Sequence, residues 1–146
     1  MDMHVTPALA LLRRLTHPSD LGHAVSAEVR MLAANLLHNE ADPHAHWLYI
    51  AGPMTGLPDY NYDAFHAAQA ELHRAGFVVM NPARNGLPMG LQWHQYMRRD
   101  LSMLSACNGI ALLPGWERSR GARLEVAWAD ALQMPVRAAA DWIKEA

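Results

Sequence analysis

Ile110-Ala111-Leu112-Leu113-Pro114-Gly115-Trp116-Glu117-Arg118-Ser119-Arg120-Gly121-Ala122-Arg123-Leu124-Glu125 reads as a short apolar strand, a Pro-Gly turn and the opening of a helix. A helix from Ser119 to Gln133 would place Leu124, Ala127, Trp128, Ala131 and Leu132 at the i, i+3, i+4, i+7, i+8 spacing of a core stripe. Glu125 falls on a flank of that stripe. Its helical neighbours three and four positions away, Gly121, Ala122, Trp128 and Ala129, offer it no basic partner. A carboxylate on such a surface, one turn into a helix, suits a nucleophile or base that a ligand must reach; the other reading is a partly exposed surface Glu.

The same strand-then-helix pattern recurs on either side of this stretch. Trp47 to Ala51 is a short apolar run ending in Gly52-Pro53, Asn61 to Ala75 carries Phe65, Ala68 and Leu72 at helical spacing, and Phe77 to Met80 is a second strand. Gln92 to Ala106 is helical through Met97, Leu101 and Leu104, and Val136 to Ala138 is a fourth strand. Strict alternation of this kind predicts an α/β domain over residues 47–146, with a parallel sheet and helices on both faces. Ligands of such sheets sit beyond the carboxyl ends of the strands, where strand order switches. Three loops then converge: Gly52 to Tyr60, Asn81 to Leu91 and Pro114 to Ser119.

Residues 1–46 differ in kind. They read as a helical extension, with Thr6 before Pro7 capping one helix and Ser19 capping a second whose stripe is Leu21, Val25, Val29, Leu32 and Leu36. Three Arg against five acidic residues in this segment argue against a DNA-reading helix-turn-helix and for packing on the main domain or on a second subunit. Across the 146 residues, 12 Lys and Arg against 14 Asp and Glu give a net charge of −2, which offers no bulk attraction for polymeric nucleic acid or an anionic membrane. The single cysteine, Cys107, excludes an internal disulfide and fits a reducing compartment. No apolar run reaches membrane-spanning length, and the start lacks the basic region of a secretory signal, so a cytoplasmic location is expected.

The loop Ala51-Gly52-Pro53-Met54-Thr55-Gly56 is rich in turn formers and lets a ligand approach the backbone, although it matches neither a dinucleotide-binding nor a Walker loop. Ser119 at a helix start, followed by Arg120, Gly121 and Arg123, combines free N–H groups with guanidinium donors and reads as a phosphate seat. Asp100 shares a helix side with Tyr96, Met97 and Leu104 and is a second candidate carboxylate. Trp116 either stacks on a base or closes the core. His66 and His94 belong to no set with zinc spacing, so no metal is expected.

Tyr49-Ile50-Ala51-Gly52-Pro53-Met54-Thr55-Gly56, Asp100 eight residues before Asn108, and Ser119-Arg120-Gly121-Ala122-Arg123-Leu124-Glu125 leading into an Ala-rich helix together resemble the nucleoside 2-deoxyribosyltransferase superfamily. The likeness covers about residues 47–138 and is greatest to a small phage- and bacteria-associated branch, similar to 2-deoxynucleoside 5′-monophosphate N-hydrolases. It implies a flavodoxin-like sheet of four to five strands, cleavage of an N-glycosidic bond in a nucleotide or nucleoside, no cofactor, and a homo-oligomer. It further implies that Glu125 is the nucleophile attacking the anomeric carbon, that Asp100 positions the sugar and assists the base, and that Tyr49 holds the nucleophile.

Six residues before the nucleophile, the transferases resemble one another in having an Asp that accepts from the sugar 5′-hydroxyl, whereas the nucleotide hydrolases have a Ser that contacts a 5′-phosphate. Here the residue is Ser119, so the expected substrate is a (deoxy)ribonucleoside 5′-monophosphate, with Gly52, Pro53, Met54, Thr55, Gly56, Trp116, Ser119, Arg120 and Gly121 around it. Base exchange between deoxynucleosides is the alternative, and nucleotide binding without turnover a third. Two positions depart from the family pattern: Asn108 stands where relatives commonly have Asp, and Thr55 lies near where the hydrolases place a phosphate-binding Arg.

Overall fold

A computed structural model describes residues 46–84 and 90–146, and the expected N-terminal helices lie outside the described residues. Four strands, β1 (Trp47–Ala51), β2 (Val78–Met80), β3 (Gly109–Leu112) and β4 (Val136–Ala138), form one parallel sheet in the order β2-β1-β3-β4. Leu48 pairs with Val79 on one side and with Gly109 on the other, and Ile110 pairs with Val136. β1 and β3 are buried along their whole length, which is why they read as unbroken apolar runs rather than as alternating patterns. The arrangement is the flavodoxin-like α/β fold expected, with β3 starting one residue earlier than the apolar run suggests.

The four helices are α1 (Tyr62–Arg74), α2 (Trp93–Ser105), α3 (Arg120–Ala131) and α4 (Ala139–Lys144). On one face of the sheet, Phe65, Ala68 and Leu72 of α1 and Ala139 and Trp142 of α4 pack against Leu48, Ile50, Val79 and Ala111. The Trp142 indole donates to the Ile110 carbonyl at 2.7 Å, so its polar edge is satisfied inside the core. On the other face α2 and α3 lie together, and Tyr49 points up toward α3. The short helix α4 has no counterpart in the sequence reading, because six residues are too few to display a helical period.

Local chemistry sets the ends of these elements. The N–H of Phe77 donates to the Leu72 carbonyl and that of Gly76 to His73, with Gly76 at φ +98°, so α1 stops in a paired glycine turn that feeds β2. Helix α2 starts where the Gln95 side chain accepts from the Gln92 N–H at 2.8 Å. At the start of α3, Ser119 Oγ accepts from the Ala122 N–H at 3.2 Å.

The core stripe expected on α3 is overturned. Leu124, Trp128 and Leu132 are 38 %, 42 % and 49 % exposed, and the inward face is Ala122, Glu125 and Ala129 instead. The Trp128 indole N–H donates to Ser105 Oγ at 2.9 Å, laying the ring along the α2–α3 seam rather than beneath it. Glu125 therefore stands within the buried face and not on its flank.

Candidate active site

The chain crosses the sheet between β2 and β3, so β1 and β3 are neighbours with connections leaving in opposite directions, the switch point at which such sheets bind ligands. At their carboxyl ends the two backbones come close: a Cβ on Gly52 would lie 2.8 Å from the Leu113 Cβ, and the Leu113 N–H donates to the Ala51 carbonyl. Only glycine lets the first loop leave β1 at this point, and the cleft opens directly above it.

Glu125 is 5 % exposed, and Tyr49 is fully buried beneath it. The Tyr49 hydroxyl donates to Glu125 Oε1 at 2.7 Å, the short separation of a hydrogen bond to a carboxyl oxygen. Burial raises the Glu125 pKa to about 8, the charge of Asp100 pushes in the same direction, and only the Tyr49 hydrogen bond lowers it. At neutral pH Glu125 therefore keeps its proton. Burial, together with the nearby Glu125 carboxyl, also pushes the Tyr49 pKa well up, so Tyr49 stays a neutral donor throughout the physiological range. A buried carboxyl held by one phenol, with a second carboxylate acting on it, makes this position a candidate functional site.

Glu125 and Asp100 both line an inner cavity of about 350 Å³, whose walls include Gly52, Tyr60, Tyr62 and Pro82. An outer cavity of about 760 Å³ adjoins it and carries Arg118 and Arg120. Met54, Thr55, Trp93, Ser119 and Gly121 line both, so the two form one cleft that narrows toward Glu125. The Arg120 guanidinium lies 3.8 Å from the Trp93 ring centroid, a cation–π contact that holds it over the ring at the rim. The Ser119 hydroxyl accepts from the helix backbone and keeps its own hydrogen free to donate into the cleft.

Of the residues singled out in the sequence, Glu125, Asp100, Gly52, Pro53, Met54, Thr55, Ser119, Arg120 and Gly121 line the cleft, and Tyr49 supports it from below. Gly56 and Trp116 line neither cavity; Trp116 opens the Trp116–Arg118 turn that carries the chain to Ser119. Asn108 is at the other end of the sheet, where its side chain accepts from the Trp47 N–H at 2.7 Å, so its departure from the family pattern does not touch the cleft. Cys107 is buried, its pKa pushed up to about 12, and is an unreactive thiol. His66 contacts Asn81, whose amide also donates to Gln69. Among the described residues no group of His, Cys, Asp and Glu could hold a metal ion, and no helix is long and apolar enough to cross a membrane.

Sequence reasoning missed Tyr60 and Tyr62. They flank Asn61, and Asp59, Tyr60 and Asn61 occupy the left-handed region in succession, at φ 46°, 51° and 60°. Each such residue costs about 1–3 kcal/mol, and a bulky one like Tyr60 is the least expected there. The local signals are Asp59 and Asn61, residue types that tolerate this conformation.

The family model described as "Domain of unknown function (DUF4406)" matches residues 46–138, well over half of the chain and the whole of the sheet, so the chain belongs to that family. No curated protein matches it.

Proposed function

We propose that this member of the DUF4406 family cleaves the N-glycosidic bond of a (deoxy)ribonucleoside 5′-monophosphate, with Glu125 as nucleophile. The observation that carries the reading is the buried Glu125 carboxyl, fixed by the Tyr49 phenol at 2.7 Å on the wall of a cleft. The resemblance of the Tyr49–Gly56 and Ser119–Glu125 stretches to nucleoside 2-deoxyribosyltransferases supports the same roles.

In the reaction, the Glu125 carboxylate bonds to the anomeric carbon as the carbon–nitrogen bond breaks. The electron pair of that bond leaves with the base, which takes up a proton. Water then adds to the anomeric carbon, losing a proton that replaces the one the base took up, and releases Glu125 as a carboxylate, giving the sugar 5′-phosphate. The oxocarbenium-like charge that develops on the sugar is stabilised by the two carboxylates in a site with little water. Asp100 positions the sugar and assists the departing base. Tyr49 steers the attacking oxygen and balances its charge with one hydrogen bond. The phosphate lies at Ser119, Arg120 and Gly121, where the α3 amino end and a guanidinium provide donors. No metal or organic cofactor enters this scheme. Among the described residues no arginine forms an ion pair with Glu125, which leaves its carboxyl available to the substrate and favours turnover over mere binding.

The direct test is release of free base from a panel of ribo- and deoxyribonucleoside monophosphates, beside the corresponding nucleosides. Monophosphates are expected to be the better substrates. Base appearing only when a second base is supplied would replace hydrolysis with base exchange, and bound nucleotides that never release base would replace both with a binding protein.

The choice of a phosphate has its own test. Asp is as good a helix N-cap as Ser, so Ser119→Asp should preserve α3 while placing a negative charge against the phosphate. The ratio of kcat/KM for monophosphate over nucleoside should fall roughly tenfold or more. An unchanged ratio would remove Ser119 from phosphate recognition.

A further inference from the structure

The left-handed turn Asp59–Asn61 leads into α1, with Asn61 at the N-cap position, and packs nothing into the core. None of the residues of the Pro58–Asn61 turn is buried, and Tyr60 is 49 % exposed, so three strained residues add nothing to the core. What they do is set Tyr60 and Tyr62 on the wall of the inner cavity, their ring centroids 5.8 Å apart and their planes tilted by 34°. A backbone held in a sparsely populated region persists only when its surroundings over-determine it, and such strain collects at ligand sites. Within the turn the Tyr60 N–H donates to the Leu57 carbonyl at 3.1 Å and the Tyr62 N–H to that of Asp59. The side-chain restraint is Asn61, whose Nδ2 donates to the Pro53 carbonyl at 3.0 Å and ties the end of the turn back to the loop that leaves β1.

We propose that Asn61 is a positioning residue for recognition of the base: its latch to Pro53 fixes the left-handed turn and with it the Tyr60–Tyr62 face against which a planar heterocycle stacks. The inference rests on the N-glycosidase reading above. With the anomeric carbon at Glu125 and the phosphate at Ser119, the two tyrosines belong to the remaining wall of the inner cavity, together with Pro82, Leu91 and Tyr96. Aromatic faces hold any planar base, and they do so well only when their orientation is set beforehand. Asparagine meets both demands of the position, since it tolerates a positive φ and carries the N–H donor that the Pro53 carbonyl accepts. Aspartate keeps the first property and loses the second, and glycine does the same with no side chain at all.

Asn61→Asp and Asn61→Gly in the full chain separate this role from a merely structural one. Steady-state base release is measured with the best monophosphate of the panel, alongside inhibition by 2-deoxyribose 5-phosphate, which lacks the base. Both variants are expected to raise KM for the nucleotide about tenfold, with kcat within about threefold of wild type and an unchanged inhibition constant for the sugar phosphate. Tyr60→Ala should give a loss of similar size, and combining it with Asn61→Asp should add little, because both act on one surface. A nucleotide KM that stays at the wild-type value in both Asn61 variants overturns the inference. So does an equal weakening of the sugar phosphate, which would mean that the whole cleft had loosened. Absence of base release by the wild-type protein is a different failure: it removes the N-glycosidase reading and this inference with it.

Discussion

Glu125→Gln is expected to lower kcat for base release by on the order of 10⁴-fold or more, with the fold and nucleotide affinity retained. The amide has the volume of the carboxyl and can still accept from the Tyr49 hydroxyl at the position of Oε1. What it cannot do is form a glycosyl ester. A nucleophile is the one group whose removal closes the covalent route altogether, whereas loss of a positioning contact slows it by less. The 5 % exposure of Glu125 sharpens the test, because a buried carboxyl of this kind is also a plausible structural element. If it were only structural, the isosteric amide would leave turnover nearly untouched. Activity within tenfold of wild type in Glu125→Gln would therefore dismiss the covalent mechanism, and circular dichroism on the same sample would exclude misfolding as the cause of any loss.

The position of Glu125 also shows where sequence reasoning stops. Unbroken apolar runs at Trp47–Ala51 and Ile110–Leu113 made the parallel sheet legible, because strands buried on both faces need no alternation. The Ser119 cap and the Gly52–Pro53 exit were legible for a similar reason, since few residue types meet those local demands. Helix α3 was not. Its residues allow two stripes, one through Leu124, Trp128 and Leu132 and one through Ala122, Glu125 and Ala129, and a count of apolar bulk selects the first. The second is the buried one. The inward face has small residues that let α3 approach the sheet, and a carboxyl that Tyr49 can reach from β1. Chemistry outweighs hydropathy on that face, and a pattern rule that scores only hydropathy reverses it. The Tyr60 conformation was hidden for another reason, since nothing in a tyrosine announces a positive φ. The hydrogen bond of the Tyr60 N–H to Leu57 and the side-chain bond of Asn61 to Pro53, across eight positions, hold it.

The cost of holding Glu125 in this place leads to the second large effect, a stability that falls as pH rises. The carboxyl titrates near its ordinary value of 4.5 in the unfolded chain and at about 8 in the folded one. Below pH 4.5 both states carry the proton and the site costs nothing. Between pH 4.5 and 8 the unfolded state has lost the proton that the folded state still holds, so stability declines with each unit of pH. Above 8 the decline is complete, and the folded protein has given up on the order of 4–5 kcal/mol. Glu125→Gln cannot ionise and escapes this loss. Its thermal midpoint should match that of the wild type within about 2 °C at pH 4 and exceed it by about 10 °C at pH 9. In the same window kcat/KM of the wild type should climb with pH and level off near pH 8, because the proton whose presence steadies the fold must leave before Glu125 can attack. Stability and activity are thus expected to move in opposite directions across one titration, and the two curves can be measured on a single set of buffers. Parallel melting curves for wild type and Glu125→Gln from pH 4 to 9 would mean that Glu125 ionises as freely in the fold as outside it, and the pH dependence of turnover would then have to arise elsewhere.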